Sequence, residues 1–191
     1  AAIGQVASMV GHDLRNPLTG ISSAIYYLKK KLDSKADKTS IEMLELIEDN
    51  IKYSNKIIAD LLEYSREINL ESTKTTLKAI TNEALSLVKV PGNIQVLDAT
   101  QEEPQIFVDS QKMRRIFVNI IQNAIDAMPK GGKLTIASKE RDGNLEIAFA
   151  DKGTGMRSDV LEKIWAPFFT TKSRGMGLGL PICKRIVEAH G

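Results

Sequence analysis

The 191-residue chain lacks several features that would fix its class at once. Its single cysteine, Cys183, excludes an internal disulfide framework and fits a reducing compartment. Its 26 Lys and Arg nearly cancel 24 Asp and Glu, and a net charge of +2 gives no reason to expect a nucleic-acid partner. No apolar run approaches the roughly 18 residues of a membrane span, and no basic segment followed by an apolar core opens the chain. No membrane contact is therefore expected of this fragment. Internal repeats and low-complexity tracts are also missing. What remains is 42% hydrophobic and 26% charged, ordinary for globular protein and enough for two cores. The chain opens on Ala1 with a helical pattern already running by Ile3. It thus reads as a piece of a longer protein, with any sensor, anchor or targeting segment upstream.

The apolar residues Ala7, Val10, Leu14, Pro17, Ile21, Ile25, Leu28 and Leu32 fall at steps of three and four, a helical stripe close to a coiled-coil seam. The polar run Asp33–Lys38 breaks it. Thr39-Ser40-Ile41-Glu42 then offers a capping box for a second helix, whose stripe is Ile41, Leu44, Ile47, Ile51, Ser54, Ile58, Leu61 and Ser65. Two helices of about 30 and 26 residues make an antiparallel hairpin with arms on the order of 40 Å long. A lone hairpin buries too little, so the expectation is dimerisation into a four-helix bundle.

Within the first helix lies Ser8–Ile21, SMVGHDLRNPLTGI. At about 100° per residue, His12 points away from Val10 and Leu14, with Arg15 and Asn16 on its face and Asp13 one step round. Pro17 cannot donate to the preceding turn and clashes with the carbonyl of Asp13, so the helix is expected to open just after His12. A solvent-facing imidazole beside a carboxylate and a destabilising proline is a costly set for a bland surface. A carboxylate bonded to one ring N–H fixes the tautomer and steadies the cation that forms when the other nitrogen attacks.

HDLRNPL resembles the H-box of sensor histidine kinases, where a Glu usually stands in place of Asp13. The resemblance implies that His12 is the phospho-acceptor, with Asp13 assisting transfer. It also implies that Asn16 orients water for removing phosphate from the partner response regulator.

Arg66–Thr75 is polar and without a stripe, so the joint is placed there: a dimerisation and phosphotransfer domain over 1–68, a linker over 69–75 and a second domain over 76–191. In the second domain, helix signals over Leu77–Lys89, Asp109–Met128, Ser158–Ile164 and Leu178–His190 alternate with strand signals. The strands read as Asn93–Ala99, Gln105–Val108, Lys133–Glu140 and Asn144–Ala150. The pattern predicts an α/β sandwich, a mixed sheet with helices on one face.

Four stretches of this domain carry chemistry. Asn119 and Asn123 are one helical turn apart with Asp126 three residues on, a line of oxygen donors suited to Mg²⁺, which takes few protein ligands. Asp151-Lys-Gly153-Thr-Gly155 follows a strand; its glycines allow close backbone approach, and its carboxylate can accept from an exocyclic amine. Phe168-Phe-Thr-Thr171-Lys172 lies in a loop, and Gly175-Met176-Gly177-Leu178-Gly179-Leu180 opens a helix whose N–H groups favour an anion.

In this order and spacing these stretches resemble the N, G1, F and G2 boxes of the histidine-kinase ATPase domain, a fold shared with DNA gyrase B and MutL. The resemblance implies ATP and Mg²⁺ as cofactors: Asn123, with Asn119 close by, holds the metal, Asp151 reads adenine, and Phe168–Gly179 with Leu180 forms a lid over the phosphates. Asp126 departs from the Lys or Arg common in the family, which favours a water-mediated role, and Thr171, Lys172 and Arg174 are the local candidates for the γ-phosphate. The family normally continues beyond Gly191 with strands that complete the sheet, and those last strands are expected to lie outside this sequence. The reading is a dimeric, cytoplasmic sensor histidine kinase core, or the cytoplasmic part of a membrane-anchored sensor. It phosphorylates His12 and passes phosphate to a response regulator receiver domain, with phosphatase activity besides. The alternatives are an ATPase or clamp of the gyrase–MutL type and a non-catalytic dimer scaffold. Cys183 and Trp165 read as packing, Tyr26 and Tyr27 as bundle surface, and His190 as a last-turn cation before a helix-ending Gly191.

Overall fold

The three-and-four spacing of the first 65 residues becomes two α-helices in the computed structural model, α1 over Ala2–Lys31 and α2 over Lys38–Ser65. The structure describes residues 2–32, 37–141, 143–172 and 175–191, with side chains from Gly11 onward except that of His12. The helices run antiparallel: Gly11 of α1 lies against Leu62 of α2, while farther along Lys29 Nζ donates to Glu48 Oε2 at 2.8 Å.

Three expectations for the hairpin change. First, α1 continues through Pro17 as one helix rather than opening after His12. The lost hydrogen bond is one interaction, whereas Leu18, the next residue, packs into both apolar clusters of the hairpin and holds that turn in place. Second, the single stripe on each helix resolves into two seams. Gly11, Leu18 and Ile25 face Leu44, Ile51, Ile58 and Leu62, whereas Leu14, Ile21 and Leu28, also at sevens, stay exposed with Ile41 and Ile47. A helix meeting one neighbour can bury only one seam. Third, α2 is capped by Asp37, not by a box starting at Thr39. Asp37 accepts the Ser40 N–H at 2.9 Å and the Ser40 hydroxyl at 2.7 Å, and this hydroxyl bond leads the lowering of its carboxyl below the usual range. Of the polar run Asp33–Lys38 read as the connection between the helices, residues 33–36 lie outside the described residues.

The remaining elements are β1 (Thr73–Thr75), α3 (Leu77–Leu87), β2 (Ile94–Ala99), β3 (Ile106–Val108), α4 (Ser110–Ala127), β4 (Gly132–Arg141), β5 (Asn144–Asp151), α5 (Ser158–Leu161) and α6 (Gly179–Ala189). The chain divides into two units, Ala1–Glu67 with Thr170–Leu178, and Ile68–Phe169 with Gly179–Gly191. In the second unit β2 pairs parallel with β4 and β4 antiparallel with β5, giving the expected mixed sheet. β1 pairs antiparallel with β3 as a separate ladder, Thr73 opposite Val108, so the polar stretch read as a joint contains a strand. Among the described residues β5 pairs on one side only, with β4.

Alternation along β5 turns Leu145, Ile147 and Phe149 inward, and α4 packs on α3, α6, β4 and β5. Phe117 and Ile121 of α4 and Leu134 and Ile136 of β4 are fully buried, and Phe117 meets Phe149 edge-on at 5.2 Å between ring centroids. Among the described residues no helix is long and apolar enough to cross a membrane.

Candidate active site

The sequence singles out two places, and each is built by a helix. In the hairpin, α1 carries His12 on its backbone, while the imidazole lies outside the described residues. Asp13, Arg15 and Asn16 are all exposed, as a stripe argument placing them off the buried seam requires. Gly11, which the sequence reading passed over, sets the helix spacing beside His12: a Cβ there would stand 2.9 Å from Leu62 Cδ1. Tyr26 and Tyr27 are exposed, with Lys31 Nζ 5.9 Å from the centre of the Tyr27 ring.

In the second unit α4 is the organising element, fixed at its start by Asp109. That carboxylate is buried, accepting Lys112 N–H at 3.0 Å, Lys112 Nζ at 2.9 Å and Glu71 N–H at 3.0 Å. Burial pushes its pKa up, but the Glu71 and Lys112 donors outweigh that and hold it at about 2. The Asp109 N–H donates to His190 Nε2 at 3.0 Å, while His190 Nδ1 lies 2.7 Å from the Ile186 carbonyl. Nε2 must be unprotonated to accept, so Nδ1 carries the proton and donates to Ile186. His190 is therefore a clip between α6 and the cap of α4. Gly191 follows with φ +108°, as a residue that ends a helix should.

From the middle of α4 onward come the polar residues. Asn119 and Asn123 are half-buried and one turn apart; Asp126 is exposed and accepts from Gln122 Nε2 at 2.8 Å. At the far end of α4 the turn after β5 closes on the helix: Thr154 N–H donates to the Ala127 carbonyl at 3.0 Å. Gly153 fits there because a Cβ would stand 2.6 Å from the same oxygen. Asp151, exposed at the end of β5, accepts the Gly153 N–H at 2.8 Å, and Gly155 has φ +67°. At the start of α6, a Cβ on Gly179 would lie 2.6 Å from Asn119 Oδ1, and Asn119 Nδ2 donates to Cys183 Sγ at 3.3 Å. Asn119, Asn123 and Asp126 thus lie along α4, with Gly179 and the adjacent Leu180 meeting it at Asn119 and the turn of Asp151, Gly153 and Gly155 meeting its C-terminal end.

Phe168 adopts φ +66°, an unusual conformation for a bulky side chain that costs on the order of 1–2 kcal/mol, and its ring is exposed. Thr171, Lys172, Gly175, Met176, Gly177 and Leu178 belong to the segment grouped with the hairpin. There Thr170 Oγ1 accepts the Lys172 N–H at 3.1 Å, a Cβ on Gly175 would lie 3.3 Å from the same hydroxyl, and Gly177 has φ +68°. Arg174 lies outside the described residues.

The donor set suits Mg²⁺. Asn119 and Asn123 offer neutral amide oxygens, and among the described residues no three His, Cys, Asp or Glu side chains converge as a protein-only metal cage. An ion that keeps most of its water and phosphate ligands needs no such cage.

Comparison with known proteins bears on the family of each unit. Residues 2–70 match the model of the His Kinase A (phospho-acceptor) domain, and residues 108–191 that of the histidine kinase-, DNA gyrase B- and HSP90-like ATPase. Sporulation kinase D of Bacillus subtilis is 32% identical over 194 residues, covering 99% of this chain and 38% of the relative. The catalytic domain of histidine kinase ThkA superposes with a TM-score of 0.57 at 32% identity, over 62% of this chain and 81% of that one. ThkA in complex with the response regulator protein TrrA gives 0.68 at 30% identity, over 98% and 55%. The chain spans less than half the length of the curated relatives it matches.

Proposed function

Because the chain belongs to the sensor histidine kinases of two-component systems, we propose that its second unit binds ATP with Mg²⁺ and that its hairpin receives the γ-phosphoryl group on His12. One observation carries the donor half: α4 meets Gly179 at Asn119 and the Asp151–Gly155 turn at Ala127, so one rigid helix spaces the amide pair, the start of α6 and the Asp151 turn. In this reading Asn119 and Asn123 hold the metal, which when bound neutralises phosphate charge, and Asp151 accepts from the adenine amine. Gly153 lets the turn close on Ala127, and the open space beside Gly155 admits the base.

On the acceptor side, a neutral His12 nitrogen attacks the γ-phosphorus. An N–P bond forms, the bond to the bridging oxygen breaks, and ADP departs with that electron pair. Asp13 accepts from the other ring N–H, orienting the ring before attack and stabilising its positive charge afterwards. The chain's contribution is positioning and charge stabilisation, as phosphoryl transfer requires. The phosphoryl group then passes to an aspartate oxygen of a receiver domain. Asn16 orients water for the later hydrolysis of that acyl phosphate. An Asn16→Ala chain should keep self-phosphorylation and lose regulator dephosphorylation; parallel loss of both would contradict this division.

The hairpin works as a homodimer in this reading, supported by the exposed seam Leu14, Ile21 and Leu28. Titration with a fluorescent ATP analogue tests the donor half. Binding should require Mg²⁺ and fall at least tenfold in Asp151→Asn, whereas no Mg²⁺-dependent binding would favour a dimer scaffold without catalysis.

A further inference from the structure

Cys183 is 5% exposed and one helical turn beyond Gly179 on α6, so the two present the same side of the helix. Asn119 lies against both. Its Nδ2 donates to Cys183 Sγ at 3.3 Å, and its Oδ1 sits where only a residue without a Cβ fits, 2.6 Å from the position a Gly179 Cβ would take.

A primary amide has two ends of nearly equal shape and opposite hydrogen-bonding sense, exchanged by a half-turn about its last torsion. In a half-buried amide whose oxygen is to serve a cation, the wrong half-turn presents two N–H donors where an acceptor is required. The choice must come from a neighbour. A valine or alanine at 183 would offer no acceptor to either end, whereas a thiol sulfur accepts, weakly, from the NH₂ group.

We propose that Cys183 is a positioning residue for nucleotide binding, holding the Asn119 amide with its nitrogen toward α6 and its oxygen toward the glycine-opened start of that helix. This rests on the assignment of Asn119 to the Mg²⁺–ATP site. The thiol touches neither metal nor nucleotide; it acts through Asn119, and its effect has the size of one modest hydrogen bond.

The test is a double-mutant cycle in the full-length chain, read by Mg²⁺-dependent binding of a fluorescent ATP analogue, with thermal unfolding of each variant alongside. Cys183→Val, which keeps apolar bulk and removes the acceptor, should weaken binding about threefold to tenfold. Cys183→Ser, which restores an acceptor, should bind within about twofold of the parent. In an Asn119→Ala background, Cys183→Val should cost nothing further. If it weakens binding as much there as in the parent, or if Ser is as poor as Val, Cys183 acts by packing and the proposal fails. Harmless Cys183→Val combined with damaging Asn119→Ala overturns the positioning role alone. A harmless Asn119→Ala overturns the metal assignment and this inference together.

Discussion

The hairpin and the α/β unit solve the burial problem in opposite ways. The α/β unit closes its core within one chain: α4 lays Phe117 and Ile121 on Leu134 and Ile136, all fully buried. The hairpin spends one seam on itself and leaves a second, Leu14, Ile21 and Leu28 on α1 and Ile47 on α2, between 42 and 49% exposed. One unit's stability is thus a property of a single chain, and the other's, under the proposed dimer, a property of two. That difference suits the proposed division of labour: the ATP site must exist in each copy, whereas the acceptor helix can be built by association.

The largest expected effect lies in the self-contained core. Phe117→Ala removes a ring with no exposure that stacks edge-on against Phe149, and should destabilise the α/β unit by about 3–5 kcal/mol. Its unfolding midpoint should not depend on protein concentration; concentration dependence would erase the contrast. Next, Ile21→Gln with Leu28→Gln should raise the dimer dissociation constant about 100-fold or more, read by sedimentation, while leaving the α/β transition in place. An unchanged dimer would show that the exposed seam is not the interface. Smallest is the contribution of Asp109. Its pKa is depressed from 3.8 to about 2, so its stabilisation is present above about pH 4 and is lost as pH falls through about 2. At neutral pH it amounts to about 2 kcal/mol, and it belongs to the α/β unit alone. Asp109→Asn should flatten that acid slope in urea unfolding without touching the dimer; an unchanged slope would deny the carboxylate's stabilisation by Glu71 and Lys112.

Local chemistry was legible in the sequence wherever one segment determined it. Asp109 caps α4 and Met128 ends it, as an aspartate before an apolar stripe and a following Pro-Lys-Gly-Gly predict. The mixed sheet followed from alternating strands and helices. Features set by distant partners were not legible. Thr73–Thr75 is too short to show alternation, and becomes a strand only because β3 lies beside it. The Asn119–Cys183 contact spans 64 residues and the Asp109–His190 contact 81, beyond any periodicity argument. The two-seam character of α1 was present in the sequence as two interleaved sets at sevens, Gly11-Leu18-Ile25 and Leu14-Ile21-Leu28. A single stripe drawn through Leu14, Pro17 and Ile21 passes over both Gly11 and Leu18, which only packing against α2 sets apart as a second seam. In the candidate site, residue types and spacing named Asn119, Asn123 and Asp151, while the reason for Gly153 and Gly179, close approach to Ala127 and Asn119, needed the fold.

The most direct test of the account is to incubate the protein with γ-labelled ATP and Mg²⁺ and map the label. The account predicts a phosphoprotein that is acid-labile and base-stable, labelled at His12, absent from His12→Ala and strongly reduced in Asp151→Asn. Label that persists in His12→Ala would contradict it.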